Sequence, residues 1–236
     1  MSASLTKRQL AMAIHISNTS KMPTGCGSWS LQAIDTCPGS YKKITPELVD
    51  TLKRELVDAC KGCYARFGNY NYPNVKKPRA SNREDWKRSG WADDMVSAME
   101  KSELFRWFDS GDCYSVALAT KILEVIQRTP HVQHWFPTRM HKFAKFREVL
   151  ATINRQKNAV VRRSSDSITG EIDGRWSNGS TIIPTVDHAK PGQTVCHAYS
   201  RGGKCGECRQ CWDKDVKTIA YPAHGRSMIK LINLAA

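Results

Sequence analysis

The sequence predicts an α/β fold, either a partial barrel or an open sheet of parallel β–α units. Two observations support this prediction. Between residues 104 and 163, short apolar runs alternate with amphipathic stretches in the order strand, helix, strand, helix, strand, which is typical of parallel β–α units. Cysteine-rich segments flank this region near both ends of the chain. We therefore expect a flexible segment over residues 1–24, then one metal-binding α/β domain over residues 25–236 with a cysteine-rich subregion at 187–236.

Apolar spacing defines the elements of the alternating region. Apolar residues recur every three or four positions in the predicted helices and run almost continuously in the predicted strands. Polar residues follow each strand, where α/β folds place their sites. The strands are predicted at 104–108, 134–138 and 159–163, and the helices between them at 115–127 and 142–153.

Helix-start signals precede the first Cys-x2-Cys pair. Thr45 suits the N-cap position and Pro46 the first helical position, so a helix is predicted from there toward Cys60. The remaining predicted elements are a strand at 28–34, a helix at 91–101, and strands at 181–186 and 194–199.

The charge balance favours a polyanionic partner. The chain has 36 Lys plus Arg against 22 Asp plus Glu, a formal charge of +14. Such a surface attracts nucleic acid, although a solvated basic surface has the same composition. Residues 69–89 are polar and interrupted by prolines, which predicts a surface loop or arm. Tyr70, Tyr72 and Trp86 alternate there with cations, which suits single-stranded nucleic acid or a loop that packs its rings onto the domain.

Compartment and cysteine usage point to metal binding. The first residues lack the apolar core and cleavage site of a signal peptide, and no apolar run reaches the length of a membrane span. We therefore expect an intracellular protein with no membrane partner. Nine cysteines, an odd and high number, argue against a disulfide framework in that setting and favour metal ligation.

The C-terminal cysteines form the more compact group. Cys196, Cys205, Cys208 and Cys211 are spaced C-x8-C-x2-C-x2-C, with glycines at positions that relieve a tight loop. Successive Cys-x2-Cys spacings are typical of iron–sulfur binding, whereas zinc ribbons use two separated pairs. The spacing therefore favours an iron–sulfur cluster, most simply 4Fe–4S, with zinc as the alternative.

The N-terminal cysteines are more widely spaced. Cys60 and Cys63 form a Cys-x2-Cys pair, and Cys37 and Cys26 lie upstream. Either all four bind metal, or three bind a cluster and leave one iron open for chemistry. In a third arrangement, one pair from each end of the chain shares a zinc ion. Cys113 has no cysteine nearby in the sequence and is expected to be a small core residue.

Charged residues follow the three predicted strands. Asp109 and Asp112 follow the first strand, Arg139 the second, and Asp166 the third. Because the carboxyl ends of parallel strands share one edge, these four are the candidate catalytic residues. The alternative is structural: such residues cap helices, and Asp166 is within reach of an ion pair with Arg162.

A family resemblance is carried by eight short strings: Lys21-Met22-Pro23, Trp29-Ser30-Leu31, Cys37-Pro38-Gly39, Cys60 to Ala65, Gly68-Asn69-Tyr70, Phe105-Arg106, Ser110-Gly111-Asp112, and Cys205 to Trp212. Over roughly residues 20–225 the chain resembles the phage gene product 88-like proteins. The resemblance implies a viral protein made in a bacterial host, located in the host cytoplasm or associated with the virion. It extends to Cys37, Cys60, Cys63 and the C-terminal cysteines, whereas Cys113 stands where an apolar residue is expected.

The layout is also similar to that of radical S-adenosylmethionine enzymes, which combine parallel β–α units with cysteines near the first strand. The C-x3-C-x2-C loop of those enzymes is absent, since the nearest spacing here is C-x22-C-x2-C. The similarity is therefore one of architecture.

Three functions follow from these observations. The leading hypothesis is a phage iron–sulfur protein, redox-active or enzymatic, with one or two clusters. The second is a nucleic-acid-binding protein with structural zinc or iron–sulfur sites. The third is a virion or interaction protein whose metals serve only its structure.

Overall fold

The computed structural model describes residues 14–42 and 54–235 of the chain. This part contains eight strands: β1 (Ile16–Asn18), β2 (Gly27–Trp29), β3 (Leu104–Trp107), β4 (Gln133–Thr138), β5 (Ala159–Ser164), β6 (Gly179–Ile183), β7 (Gln193–Val195) and β8 (Thr218–Pro222). They form one sheet in the order β1-β2-β3-β4-β5-β6-β8-β7. Only β1 is antiparallel to its neighbour among these strands. The predicted α/β class is confirmed.

Six α-helices lie within the described residues: α1 (Asp58–Lys61), α2 (Pro73–Asp85), α3 (Trp91–Ala98), α4 (Val116–Arg128), α5 (Arg147–Arg155) and α6 (Arg226–Ala235). Helices α4 and α5 connect β3 to β4 and β4 to β5, as the apolar spacing predicts. From β2 to β6, strands in chain order lie side by side and point the same way. Their carboxyl ends therefore meet at one edge of the sheet.

An aromatic core lies against the helices. Trp29 packs edge-to-face on Trp91 and Trp107, with ring centroids 5.5 and 6.2 Å away. Met95 and Leu118 bring the apolar faces of α3 and α4 onto these rings, and all five residues are fully buried. Since burying a large apolar side chain stabilises a fold by roughly 1.5–3 kcal/mol, this cluster fixes the sheet that carries the site.

The predicted surface arm is wrong, because most of it is helix α2. Pro73 occupies the first helical turn, where the missing N–H costs nothing, and Pro78 removes one backbone hydrogen bond inside the helix. Arg79 and Trp86 are buried and hold the helix against the domain. Prolines usually interrupt a helix, but tertiary contacts stabilise this helix around them.

Two further N-terminal predictions are affected. Residues 16–18, within the segment predicted to be flexible, form β1, whereas residues 1–13 lie outside the described part. The helix predicted from Thr45 falls mostly on residues 43–53, which also lie outside it. Near its predicted end, Leu56 forms a β-bridge with Tyr41, and only the short α1 follows.

Candidate metal centre

A cavity of ≈ 270 Å³ lies at the carboxyl edge of the sheet, between two groups of cysteines. One wall is formed by residues after β2 and in α1, and the other by residues between β7 and β8. The cysteines that line it are Cys37, Cys60 and Cys63 on the first wall and Cys196, Cys205 and Cys211 on the second. The fold thus brings thiols from both ends of the chain to one space.

Backbone contacts assemble the first wall. The amide of Val57 donates to the carbonyl of Ser40 at 2.9 Å, which places the turn after Cys37 beside the helix that carries Cys60. The amide of Ala59 donates to the carbonyl of Asp166 at 3.0 Å, which ties this helix to the end of β5. The three thiols therefore face the cavity through contacts that need no metal.

Each cysteine motif of this wall contains a glycine that makes a close contact. A Cβ on Gly39 would lie 2.6 Å from Cβ of Arg139, and one on Gly62 would lie 2.8 Å from Cα of Met228. Distances below 3.0 Å cannot be accommodated without movement of the backbone or of its neighbours. The glycines in Cys-Pro-Gly and Cys-Lys-Gly-Cys thus set how deeply each motif sits against β4 and α6.

The thiols of the first wall are neutral when nothing is bound. Burial raises the pKa of Cys37, Cys60 and Cys63, and the Asp112 carboxylate raises the pKa of Cys37 further. The positive charge of Arg139 opposes the effect at Cys60 and Cys63. A metal bound here would have to displace the thiol protons, so binding would release protons to solvent.

Cys26 belongs to the second wall in space. It packs with Met22, Trp135 and Trp212, and with Cys205 and Cys211 at the edge of the same cluster. Burial raises its pKa to about 12, the nearby Arg106 opposes this rise and Cys205 adds to it. The structure therefore places Cys26 with the C-terminal cysteines, not with the Cys37 group.

The C-terminal loop follows the predicted glycine geometry. Gly202, Gly203 and Gly206 have φ angles of 64°, 78° and 55°, the left-handed region that favours glycine. Cys208 lies apart from the cavity, in a second surface pocket, and its thiol donates to Oε1 of Gln210 at 3.4 Å. Of the four predicted C-terminal ligands, three line the cavity and Cys208 does not.

Arg162 holds the C-terminal loop onto the sheet, a role that sequence reasoning missed. It is fully buried on β5. Its guanidinium donates to the carbonyl oxygens of Gln210, Cys211, Asp213 and Val216 at 2.5–2.8 Å. The predicted ion pair with Asp166 is not formed. The available signal was an arginine directly after the apolar run Ala159–Val161 of a strand.

Two aromatic residues complete the attachment of this loop. The indole N–H of Trp212 donates to the carbonyl of Phe105 at 3.0 Å, and the hydroxyl of Tyr221 lies 3.3 Å from Sγ of Cys211. Burial raises the pKa of Cys211 to about 11, and the contact with Tyr221 opposes the rise. The second wall is therefore fixed by protein contacts, as is the first.

Asp112 lines the cavity but already has its hydrogen bonds. Its carboxylate accepts from the amide of Cys113 at 2.7 Å, the hydroxyl of Thr138 at 2.7 Å and the amide of Arg139 at 2.8 Å. Burial raises its pKa even though these bonds stabilise the ionised form. In this structure it joins the ends of β3 and β4.

Asp109 also lines the cavity and organises its rim. Its carboxylate accepts from the hydroxyl of Tyr70 at 2.9 Å and pairs with Arg79 at 3.2 Å and Arg106 at 3.5 Å. Its backbone carbonyl accepts from the hydroxyl of Tyr64 at 2.7 Å. The two predicted acids at this edge therefore hold other groups in place.

Arg139 and Asp166 meet at the rim, as their strand-end positions predict. Arg139 lines the cavity, whereas Asp166 lies just outside it and is 40% exposed. The Asp166 carboxylate lies 3.5 Å from Nε of Arg139 and 2.5 Å from Nζ of Lys142. Nη2 of Arg139 donates to the carbonyl of Ser165 at 2.8 Å. This side of the rim has two cations for one carboxylate.

A family model described as Gene product 88 matches residues 3–214. The chain belongs to the Gene product 88 family. The matched span, which includes every cysteine of the chain, confirms the predicted resemblance to a family of phage proteins. No curated protein and no solved structure matches the chain.

Two further observations describe this Gene product 88 protein. Within residues 14–42 and 54–235, no group of three or more His, Cys, Asp or Glu side chains is arranged to hold a metal ion. In the same part of the chain, no helix is long and apolar enough to cross a bilayer. The thiols thus share a cavity without being gathered around one point.

Proposed function

We propose that this phage protein is a redox-active or enzymatic iron–sulfur protein, with a 4Fe–4S cluster on Cys37, Cys60 and Cys63. The observation that carries the proposal is the separation of the cysteines. Three buried thiols line one wall of a cavity, and Cys26, the other candidate for that set, packs against the opposite wall. A cluster with three cysteine ligands leaves one iron without a thiolate, and this iron would face the cavity.

The chemistry of the residues present suits such a group, and the thiols would have to draw together to bind it. Thiolates are soft ligands that select iron–sulfur clusters, zinc or copper(I). The guanidinium of Arg139 and the ammonium of Lys142 lower the pKa of Cys60, so both favour the thiolate form that a metal requires. Gly39 and Gly62 pack closely against Arg139 and Met228, which positions the two cysteine motifs without a metal. When bound, the cluster would supply one-electron transfer to a ligand in the cavity.

A second metal site on the opposite wall extends the proposal. Cys196, Cys205 and Cys211 face the cavity, and Cys26 and Cys208 are the alternatives for the fourth position. Arg162 anchors the backbone that carries Cys211, and the charge of Arg106 favours the thiolates of Cys26 and Cys205. Free thiols persist in a reducing compartment, so we propose that the protein acts in the host-cell cytoplasm.

Metal analysis of anaerobically purified protein tests the proposal. We expect iron and acid-labile sulfide, with broad visible absorption that bleaches on reduction. Cys37→Ser should remove part of the iron, whereas the control Cys113→Ala should keep all of it. Cys113 is fully buried but does not line the cavity. Colourless protein with stoichiometric zinc would overturn the proposal.

Electron paramagnetic resonance of the reduced protein tests the open iron. Added S-adenosylmethionine, the ligand used by the enzymes of similar layout, should alter the signal of the wild type. It should have no effect after Cys37→Ser, because that variant lacks the first cluster. An unaltered wild-type signal would leave electron transfer as the function.

A further inference from the structure

Three aromatic rings lie one against the next beside the cavity, and this side of the cavity is called its mouth here. Tyr199 and His224 have ring centroids 3.9 Å apart and an interplanar angle of 31°. His224 and Tyr64 follow at 6.2 Å and 28°. We name Tyr64, His224 and Tyr199 the ring stack. Tyr64 and His224 line the cavity, and Tyr199 packs against His224.

The ring stack joins the two cysteine walls. Tyr64 follows Cys63 directly, and Tyr199 lies between Cys196 and Cys205. The hydroxyl of Tyr64 is held by the carbonyl of Asp109 at 2.7 Å, so its ring orientation is fixed from inside the domain. The ring stack therefore lies beside the cavity, with Tyr64 and His224 in its lining.

The outer two rings of the stack are partly exposed to solvent. Tyr64 is 42% exposed and Tyr199 is 47% exposed. Tyr70, by contrast, is occupied: its hydroxyl binds Asp109 and its ring lies under the guanidinium of Arg79 at 4.8 Å. Tyr64 and Tyr199 therefore keep exposed aromatic surface, and the Lys21 ammonium that lies over the Tyr199 ring would have to move aside for a base to stack there.

Positively charged side chains lie near the ring stack, in space or in the sequence. Nζ of Lys21 lies 5.0 Å from the ring centroid of Tyr199, and Arg66 is exposed two residues after Tyr64. Neither cation forms an ion pair with a carboxylate among the described residues. Exposed cations continue along α2 and just beyond it, at Lys76, Lys77, Arg83 and Lys87.

We infer that the mouth of the cavity binds a nucleobase that carries phosphate, either as a free nucleotide or within single-stranded nucleic acid. Base–aromatic stacking next to cations is the chemistry by which proteins hold unpaired bases. The cavity of ≈ 270 Å³ is near the lower end of small-molecule sites, roughly 300–1,000 Å³, so it admits one base rather than a folded strand.

The inference deepens the proposed function by naming the ligand that would reach the cluster. Binding of the ligand does not depend on the proposed function, and only its reaction with the cluster does. The rings and cations belong to the protein itself, so they would bind a base whether or not iron is present. Failure of one proposal is therefore distinguishable from failure of the other.

Fluorescence anisotropy with a labelled mixed-sequence single strand tests the inference, on both metal-loaded and metal-free protein. The single strand should bind at least ten-fold more tightly than its duplex at equal salt, since duplex bases are not free to stack. Tyr199→Ala should weaken single-strand binding roughly 5- to 150-fold, the range of one base–aromatic stack, and Tyr199→Phe should restore it. Adenosine monophosphate as competitor distinguishes a free nucleotide from a strand as the ligand. If it displaces the labelled strand, one nucleotide suffices for binding. If it does not displace the strand, binding requires a strand.

Tyr72→Ala is the matched control, because Tyr72 is 57% exposed but neither lines the cavity nor belongs to the ring stack. It should leave the affinity within two-fold of the wild type. Equal binding of an abasic strand, or equal loss in the Tyr72 and Tyr199 variants, would reduce the interaction to charge and overturn the inference. Single-strand binding by protein that holds only zinc would support the inference and overturn the iron–sulfur proposal.

Discussion

Nη2 of Arg162 lies 2.7 Å from the carbonyl oxygen of Gln210, across 48 residues of sequence. With three more carbonyl contacts from the same guanidinium, it makes β5 the support of the C-terminal cysteine loop. Burial lowers the pKa of Arg162. In these four contacts, the partners that stabilise its positive charge are the dipoles of backbone carbonyl groups. This geometry explains how a loop of little regular structure keeps its position.

Arg162→Met should destabilise the protein by about 3 kcal/mol or more, because a buried carbonyl left unsatisfied costs roughly 1–3 kcal/mol. Urea unfolding followed by circular dichroism measures the change. Arg155→Met, at an exposed arginine on α5, should shift the free energy of unfolding by less than about 0.5 kcal/mol. Equal effects of the two substitutions would contradict the assigned role of Arg162.

Gly39→Ala should destabilise the first wall and lower its metal content. The added Cβ would lie 2.6 Å from Cβ of Arg139, and overpacking of this kind costs roughly 1–3 kcal/mol. Gly174→Ala is the control, since nothing lies within 4 Å of its Cβ position. Unfolding and iron content measured on both variants check the prediction, and an unchanged Gly39 variant would show that the turn is not confined.

Cys26→Ala should reduce iron binding at the second wall only. In a Cys60→Ser background, which removes the first site, Cys26→Ala should lower the remaining iron more than Cys208→Ala does. The reason is that Cys26 packs beside Cys205 and Cys211, whereas the thiol of Cys208 faces another pocket. The opposite ranking would assign the fourth position to Cys208.

His134 should make the protein less stable at acidic pH. Burial lowers its pKa to about 3, well below the value of 6.5 in the unfolded chain. As the pH falls below 6.5 the unfolded state takes up a proton that the folded state does not. Stability is therefore lost by up to ~1.4 kcal/mol per pH unit between pH 6.5 and 3.

Urea unfolding between pH 7 and pH 5 measures this loss. His134→Gln, which keeps a polar group near Thr129 without a titrating ring, should show a shallower dependence on pH than the wild type. The nearest hydrogen-bond partner, Thr129 at 2.9 Å from Nε2, does not titrate. Parallel curves for the two proteins would show that His134 is not responsible.

The β–α units were predictable because their signal is local. Apolar runs and three- to four-residue spacing identified β3, α4, β4, α5 and β5 close to their observed bounds. Local signals do not predict helix α2, because its two prolines disfavour a helix. The contacts of Arg79 and Trp86 that stabilise it join residues far apart in the sequence. The five-residue strand β8 carries a weak pattern, whereas helix α6 has apolar residues at helical spacing, Met228, Leu231 and Ile232, that sequence analysis missed.

The candidate site was predictable in its cysteines but not in their grouping. Cys26 precedes β2 directly, and β2 pairs with β3 inside the sheet, which carries Cys26 toward Trp212. Nothing in the spacing from Cys26 to Cys37 reveals that path. The roles of Asp109 and Asp112 as anchors were likewise hidden, since their partners include Tyr70 and Thr138 from distant segments.

The close approach of Gly62 to Met228 and of Gly39 to Arg139 bears on the order of events in assembly. A cysteine wall positioned by backbone packing exists before any inorganic group arrives. If this wall binds the proposed cluster, the polypeptide would fold first and receive iron and sulfide afterwards, and a cluster lost to oxygen would be rebuilt without passing through the unfolded chain. For a protein made during infection, maturation would then be limited by the host's supply of iron and sulfide and not by the folding of the chain.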